Sequence, residues 1–302
     1  MTEKTSVSIC VPAYNEEKNI EKILLALLAQ KTNKIAINKI VVVSSASTDK
    51  TDDIVKKYTT EYPQVILIQQ KKREGKAAAI NAFLKITTDP LIVIESADTI
   101  PQPNTIEHLC LPFLRDQNIG MTGGAPIPVN DPKTFLGYII HTWWWFHRNI
   151  PRFGEIIACR NIIEAISQTT AVDEAYIQAK MIQMNLKAVH VDEAIVFNKG
   201  AETVKDLIKQ RRRVFNGHAR LLNKENIKID NMTKSTLKLL LFKFPINNFK
   251  ELVWLGCGIL IELYSQLLGM YDLKINKKNP FIWDTAKTTK NLKKKRAYDF
   301  IS

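Results

Sequence analysis

The chain has 302 residues, 45% of them hydrophobic and 24% charged, and a formal net charge of +13. That is enough apolar material for one large domain, or a domain with an appendage, and the charge favours polyanionic partners such as nucleic acid, anionic membrane or phosphorylated substrates. Four widely separated cysteines (Cys10, Cys110, Cys159, Cys257), with no C-x-x-C pair, suggest reduced, mostly buried thiols in a cytosolic setting rather than a disulfide frame or zinc site.

The start, "MTEKTSVSICVPAYNEE", has no cationic stretch leading into an apolar one, so no secretory signal is expected. "VSICVPAY" then reads as a buried strand, and "EEKNIEKILLALLAQ" as a helix by its apolar spacing. "KIVVVSS" and "VILIQQ" are strands; "STDKTDDIVKKYTTEY" and "KAAAINAFLKI" are helices; "LIVIES" closes the series. Strands alternating with helices of this size predict βαβ units, an α/β sheet, and ligands outside the strands' carboxyl ends. The loops Ala13–Glu17, Ser44–Asp49 and Glu95–Thr99 each follow a strand, so they should meet on one sheet edge. After about Gly124 the pattern reads as more helical and less regular.

Neither G-x-G-x-x-G after the first strand nor a P-loop is present, which disfavours a dinucleotide fold or P-loop enzyme. The strand-end loops instead offer Tyr14, Glu16, three serines (Ser44, Ser45, Ser47) and Asp49. "KKREGKAAAIN" brings Arg73, Gly75 and Lys76 to a helix start suited to a diphosphate. Each has a plain structural alternative: Asn15, Glu16 and Glu17 suit a helix N-terminus, and Ser47 or Thr48 suits a cap. Asp98 is either a metal ligand at the sheet's mouth or the polar end of a buried strand.

In that order, "VSICVPAYNEEKNIEKILLALLAQ", "VVVSSASTDKTDDI", "KREGKAAAINAF" and "IVIESADTIPQPNTI" resemble family 2 glycosyltransferases of the GT-A fold. The similarity runs on through "GEIIACRNII", "VDEAYIQAKMIQMNLKAVHVDEAIVFNKG" and "QRRRVFNGH", covering roughly residues 6–220. The spellings "SSASTD", "SADT" and "QRRR…GH" are most like archaeal members.

The resemblance implies a nucleotide-diphosphate-sugar transferase whose mainly parallel sheet is flanked by helices. It further implies inversion at the sugar, by metal-assisted direct displacement onto a hydroxyl or phosphate of a lipid-linked or saccharide acceptor. Pro12, Ala13, Tyr14, Glu16, Ser45 and Lys76 would bind the donor, together with Ser96-Ala97-Asp98 in the D-x-D slot. Asp98 would hold Mg2+ or Mn2+. Glu174 would be the catalytic base, with Asp173 before it and a one-residue register error as the alternative; Gln210 and Arg213 match Q-x-x-R. Three departures stand out: Ser96 and Ser45 replace aspartates, and Val214 replaces a tryptophan. The alternative to an enzyme is a catalytically silent relative serving as a membrane-associated binding protein.

"LVWLGCGILIELYSQLLGMY" (Leu252–Tyr271) is long enough to span a bilayer, but Glu262 and Gln266 share one face four residues apart. It reads as a helix lying on or dipping into a membrane, a true span, or a core helix. Trp143–Trp145, Trp254 and the basic run Lys293–Arg296 fit an anionic surface at the cytoplasmic face of the cell membrane. The tryptophan run reads equally as aromatic core. Basic residues are not interleaved with aromatics on one element, so no nucleic-acid partner is expected. The expected division is a catalytic domain over 1–225 and a membrane-associating helical segment over 226–302.

Overall fold

The computed structural model describes residues 4–150, 153–225, 243–277 and 279–282; the run Lys293–Arg296 lies outside them. The first half follows the expected alternation: β1 (Thr5–Ala13), α1 (Ile20–Leu28), β2 (Ile35–Ser44), α2 (Thr51–Glu61), β3 (Val65–Gln69), α3 (Lys76–Leu84) and β4 (Leu91–Glu95). After them come β5 (Ile100–Pro101), α4 (Thr105–Arg115), β6 (Ile119–Pro128), α5 (Phe135–Asn149), β7 (Ile156–Arg160), α6 (Asp173–Gln183), β8 (Lys187–Asn198), α7 (Val204–Glu225) and α8 (Phe249–Lys274).

The eight strands form one sheet in the order β3-β2-β1-β4-β7-β6-β8-β5. β1, β2, β3 and β4 pair in parallel, so the loops after β1, β2 and β4 leave one edge together. Beyond β4 the sheet is mixed: β7 runs antiparallel to β4 and β6, β8 parallel to β6, and β5 antiparallel to β8.

Strand periodicity sends alternate side chains to opposite faces. Val7, Ile9 and Val11 pack with Ile20, Ile23, Leu24 and Leu27 of α1 and Ile106 and Leu109 of α4. Cys10, Val41 and Val43 pack on the other face with Ile80 and Phe83 of α3 and Tyr176 and Ile177 of α6. Helices therefore cover both sides of the sheet, and the site lies at its carboxyl edge.

The stretch after Gly124 is more helical and less regular than the first half, as its pattern predicts: α5, α6, α7 and α8 all lie in it, with the last four residues of β6 and the strands β7 and β8 set among them. The glycines that obscure β6 allow close packing: a Cβ at Gly123 would lie 2.1 Å from Phe153 Cδ1, and one at Gly124 would lie 2.5 Å from Ile156 Cγ2. One alternative reading is corrected: Asn15, Glu16 and Glu17 precede the first helix rather than starting it, because α1 begins at Ile20. Likewise α2 begins after Lys50, leaving Ser47 and Thr48 to other partners.

Candidate active site

The loops after β1 and β2 are laced together. Asn15, in the left-handed region at φ 52°, donates its N–H to Ser47 Oγ at 3.1 Å and accepts the Thr48 N–H on Oδ1 at 2.7 Å. The Glu16 and Glu17 N–H groups donate to Thr51 Oγ1 and Asp49 Oδ2. Asp49 is thereby committed to the loop, as its other oxygen accepts the Thr51 N–H. Pro12 and Ala13 end β1, with Ala13 paired to Ser44. The Glu16 carboxylate accepts from Asn19 Nδ2 at 3.0 Å and is buried. Tyr14 lies under the Arg73 guanidinium, 3.9 Å from Cζ to the ring centroid. Ser45, also buried, accepts the Glu74 N–H at 3.1 Å, tying β2's end to the turn before α3. Gly75 caps that helix at φ 88°, and a Cβ there would sit 2.8 Å from the Phe281 carbonyl oxygen. A side chain is therefore excluded by backbone conformation and by space.

At the first residue of α3, Lys76 meets the first two residues of α6. Its Nζ lies 2.9 Å from Asp173 Oδ2 and 2.5 Å from Glu174 Oε1. The three side chains are 16%, 4% and 17% exposed, so water screens the cluster weakly. The sequence places Lys76 with a donor diphosphate and does not connect it to these acids. Burial favours neutral Lys76, but the two carboxylates outweigh it and hold its pKa above the ordinary value. Burial, then the neighbouring Glu174 charge, raises the Asp173 pKa. For Glu174, burial is outweighed by Lys76 and by hydrogen bonds, with Arg213 assisting, and its pKa falls. Of the two acids, Glu174 is thus the one whose pKa the cluster lowers.

Arg213 reaches this cluster from α7. Burial lowers its pKa against the opposing charges of Glu174, Asp173, Glu155 and Asp98. Gln210 lies half-buried on the preceding turn of α7. The neighbouring arginines go elsewhere: Arg211 pairs with Glu262 and Arg212 with Asp272, both on α8.

The third component is the turn after β4. The Ser96 N–H donates to the Glu155 carbonyl at 2.9 Å, and Thr99 Oγ1 donates to Glu95 Oε1 at 3.0 Å. Glu95 is fully buried, which pushes its pKa up to about 8. Glu155 has no role assigned by the sequence motifs. It sits just before β7 in the left-handed region, at φ 67°, with its Oε1 accepting from Asn198 Nδ2 at 3.1 Å. Burial, then the Asp98 charge, raises its pKa. Its one available signal is its place at the head of "GEIIACRNII", a stretch within the family resemblance. Among the described residues, no three His, Cys, Asp or Glu side chains are placed to hold a metal by themselves.

The Glycosyl transferase family 2 model matches residues 8–166, more than half of the chain. The probable glycosyltransferase YdaM of Bacillus subtilis is 26% identical over 238 residues, covering 72% of this chain and 56% of that protein. The dolichyl-phosphate beta-glucosyltransferase ALG5A of Trichomonas vaginalis is 37% identical over 108 residues, 34% of this chain and 33% of that one. The chain thus spans about half, or less, of the length of these curated relatives. In fold it is similar to the mannosyltransferase PcManGT from Pyrobaculum calidifontis, solved with GDP-Man and Mn2+. The TM-score is 0.63 at 18% identity, over 92% of this chain and 89% of that one. On the family match, this chain belongs to glycosyl transferase family 2.

Proposed function

We propose that residues 1–225 form a catalytic unit that transfers a sugar, with inversion, from a nucleotide-diphosphate-sugar to a lipid-linked or saccharide acceptor. The observation that carries this reading is the part-buried Glu174 carboxylate 2.5 Å from Lys76 Nζ, with Arg213 acting on the same cluster at the sheet's carboxyl edge. Pro12, Ala13, Tyr14, Glu16 and Ser45 line the nucleotide side. Lys76 and Arg213 face the diphosphate. Glu174 accepts the proton of the acceptor hydroxyl as its oxygen bonds to the anomeric carbon, and the electron pair of the breaking C–O bond leaves with the nucleoside diphosphate. A phosphate acceptor, already anionic, needs no base. Arg213 meets charge growing on the leaving diphosphate, where a preorganised cation is most effective.

The donor set suits Mg2+ or Mn2+. Asp98 supplies a carboxylate on the Ser96-Ala97-Asp98 turn, and such ions complete their shell with phosphates and water. Nearby, buried Asn198 has an Oδ1 with no hydrogen-bond partner among the described residues. Bound there, the ion would neutralise diphosphate charge. The relatives' glycosyltransferase descriptions and the GDP-Man and Mn2+ of the similar structure support this reading, as archaeal-type spellings support kinship with archaeal members.

Residues 226–302 are read as the membrane-associating part, at the cytoplasmic face of the cell membrane. A screen of nucleotide-sugars with Mg2+ or Mn2+, with and without polyprenyl phosphate, tests the assignment. Nucleoside diphosphate release that is lost in Glu174→Gln supports it. Donor binding without turnover would favour the catalytically silent reading, for which Ser96 in the D-x-D slot speaks.

A further inference from the structure

α8 is amphipathic in the reverse of the usual sense. In a water-soluble fold a helix turns its apolar stripe inward and its polar face outward. Here the inward stripe, spaced three or four residues apart, is Leu255, Gly258, Glu262, Ser265, Gly269 and Asp272, all buried or half-buried. The outward face carries Leu252, Leu260, Leu263, Leu267 and Met270, of which Leu260 is 67% and Leu267 61% exposed.

Its inward acids are occupied. Arg211 Nε donates to Glu262 Oε2 at 2.6 Å and its second nitrogen to Oε1 at 3.0 Å; Arg212 holds both Asp272 oxygens at 2.5 Å. Such forked pairs fix direction as well as charge. Glycine lets the helices approach, since a Cβ at Gly269 would lie 2.9 Å from the Arg212 carbonyl oxygen. Successive helical residues point about 100° apart. With Arg211 and Arg212 both fixed on α8, Arg213 is turned toward the carboxylates. On its far side α7 seats on the turn before Asp173, where a Cβ at Gly217 would lie 2.8 Å from Val172 Cγ1.

Resting on the transferase reading above, we propose that α8 lies in the plane of an anionic lipid surface and that Arg211 and Arg212, gripped by Glu262 and Asp272, are positioning residues for Arg213. Crossing the bilayer would strip both ion pairs and put two acids in hydrocarbon. Lying flat keeps the pairs and immerses the leucines. Exposed Lys243, Lys250, Lys274 and Lys277 flank the helix and suit anionic headgroups. The same lysines would repel those of a second copy docked on this face.

The full chain is tested on vesicles of phosphatidylglycerol and phosphatidylcholine by flotation. Wild type should float at low salt, and a Leu260→Glu/Leu267→Glu variant should remain in solution. In a Cys257→Ser background, Lys250→Cys and Lys274→Cys should both react with an impermeant maleimide added outside; protection of one end would mean a span and overturn the in-plane placement. Failure of wild type to float, with dimerisation on dilution-dependent light scattering, would assign the face to a second copy. For positioning, Glu262→Gln/Asp272→Asn should lower kcat on the order of 10- to 100-fold with donor KM little changed. The reversed pair Arg211→Glu/Glu262→Arg should recover turnover relative to Arg211→Glu alone. Unchanged kcat, or loss through unfolding with no recovery by the reversed pair, overturns the positioning role. Absence of all wild-type turnover would remove the transferase reading and the positioning role together, while flotation and labelling still decide the lipid face.

Discussion

Lys76→Met replaces the ammonium that joins Asp173 and Glu174 and retains an apolar stem of similar length. At 2.9 and 2.5 Å, each contact has a gross attraction of roughly 6 kcal/mol at an effective dielectric of about 20, much of it offset by desolvation. Removing one partner of such a buried set typically costs about 3–5 kcal/mol, because the remaining charges are stranded. The loss should depend on pH. Glu174 has a lowered pKa in the native protein, so its stabilising contribution is present above its unfolded pKa and fades as pH falls. Without Lys76, burial pushes both acids up, and they can relieve the strain by binding protons at low pH. The variant should therefore be most destabilised near pH 8 and least near pH 4. Denaturant unfolding across that range is the assay. The acid limb of the transfer rate should move to higher pH, because the base protonates more readily. An equal loss at pH 4 and pH 8 would identify a packing defect, and no loss at either would refute the buried ion cluster.

Glu174→Gln should slow transfer roughly 10²–10⁴-fold while leaving donor affinity nearly intact; a near-normal rate there with an inactive Asp173→Asn would move the base to Asp173. Arg213→Gln should lower kcat by about 10²–10³-fold, and steady-state kinetics showing only a raised donor KM would assign it to ground-state binding. Asp98→Asn should weaken Mn2+ binding to the chain with nucleoside diphosphate, measured by calorimetry; an unchanged titration would remove Asp98 from the ion. Glu95, raised to about 8 by burial, contributes stability that is full below its unfolded pKa and lost as pH rises through about 8. Glu95→Gln should thus flatten that decline, making the variant more stable than wild type at pH 9 by up to a few kcal/mol.

The sequence by itself determined the βαβ half of the sheet, because β1 to β4 are short branched-apolar runs separated by helices whose spacing is local. It also determined where the strand-end loops gather, since parallel strands deliver their following loops to one edge. Motif order marked Tyr14, Lys76, Asp98, Glu174 and Arg213 without any coordinate. Local pattern failed for β6, where glycines and prolines give little strand signal and the reason for the glycines is a neighbour's side chain.

Other features arise only from contacts between residues far apart in the chain. Lys76 and Glu174 are 98 positions apart, and no periodicity predicts that one ammonium bridges both acids. Glu155 enters because β7 runs antiparallel beside β4, which lays its carbonyl on Ser96. The division of three consecutive arginines between α8 and the carboxylates was equally hidden. Helix geometry sets their angles, but only the docking of α8, with its acids inward and leucines outward, decides which of the three faces the site.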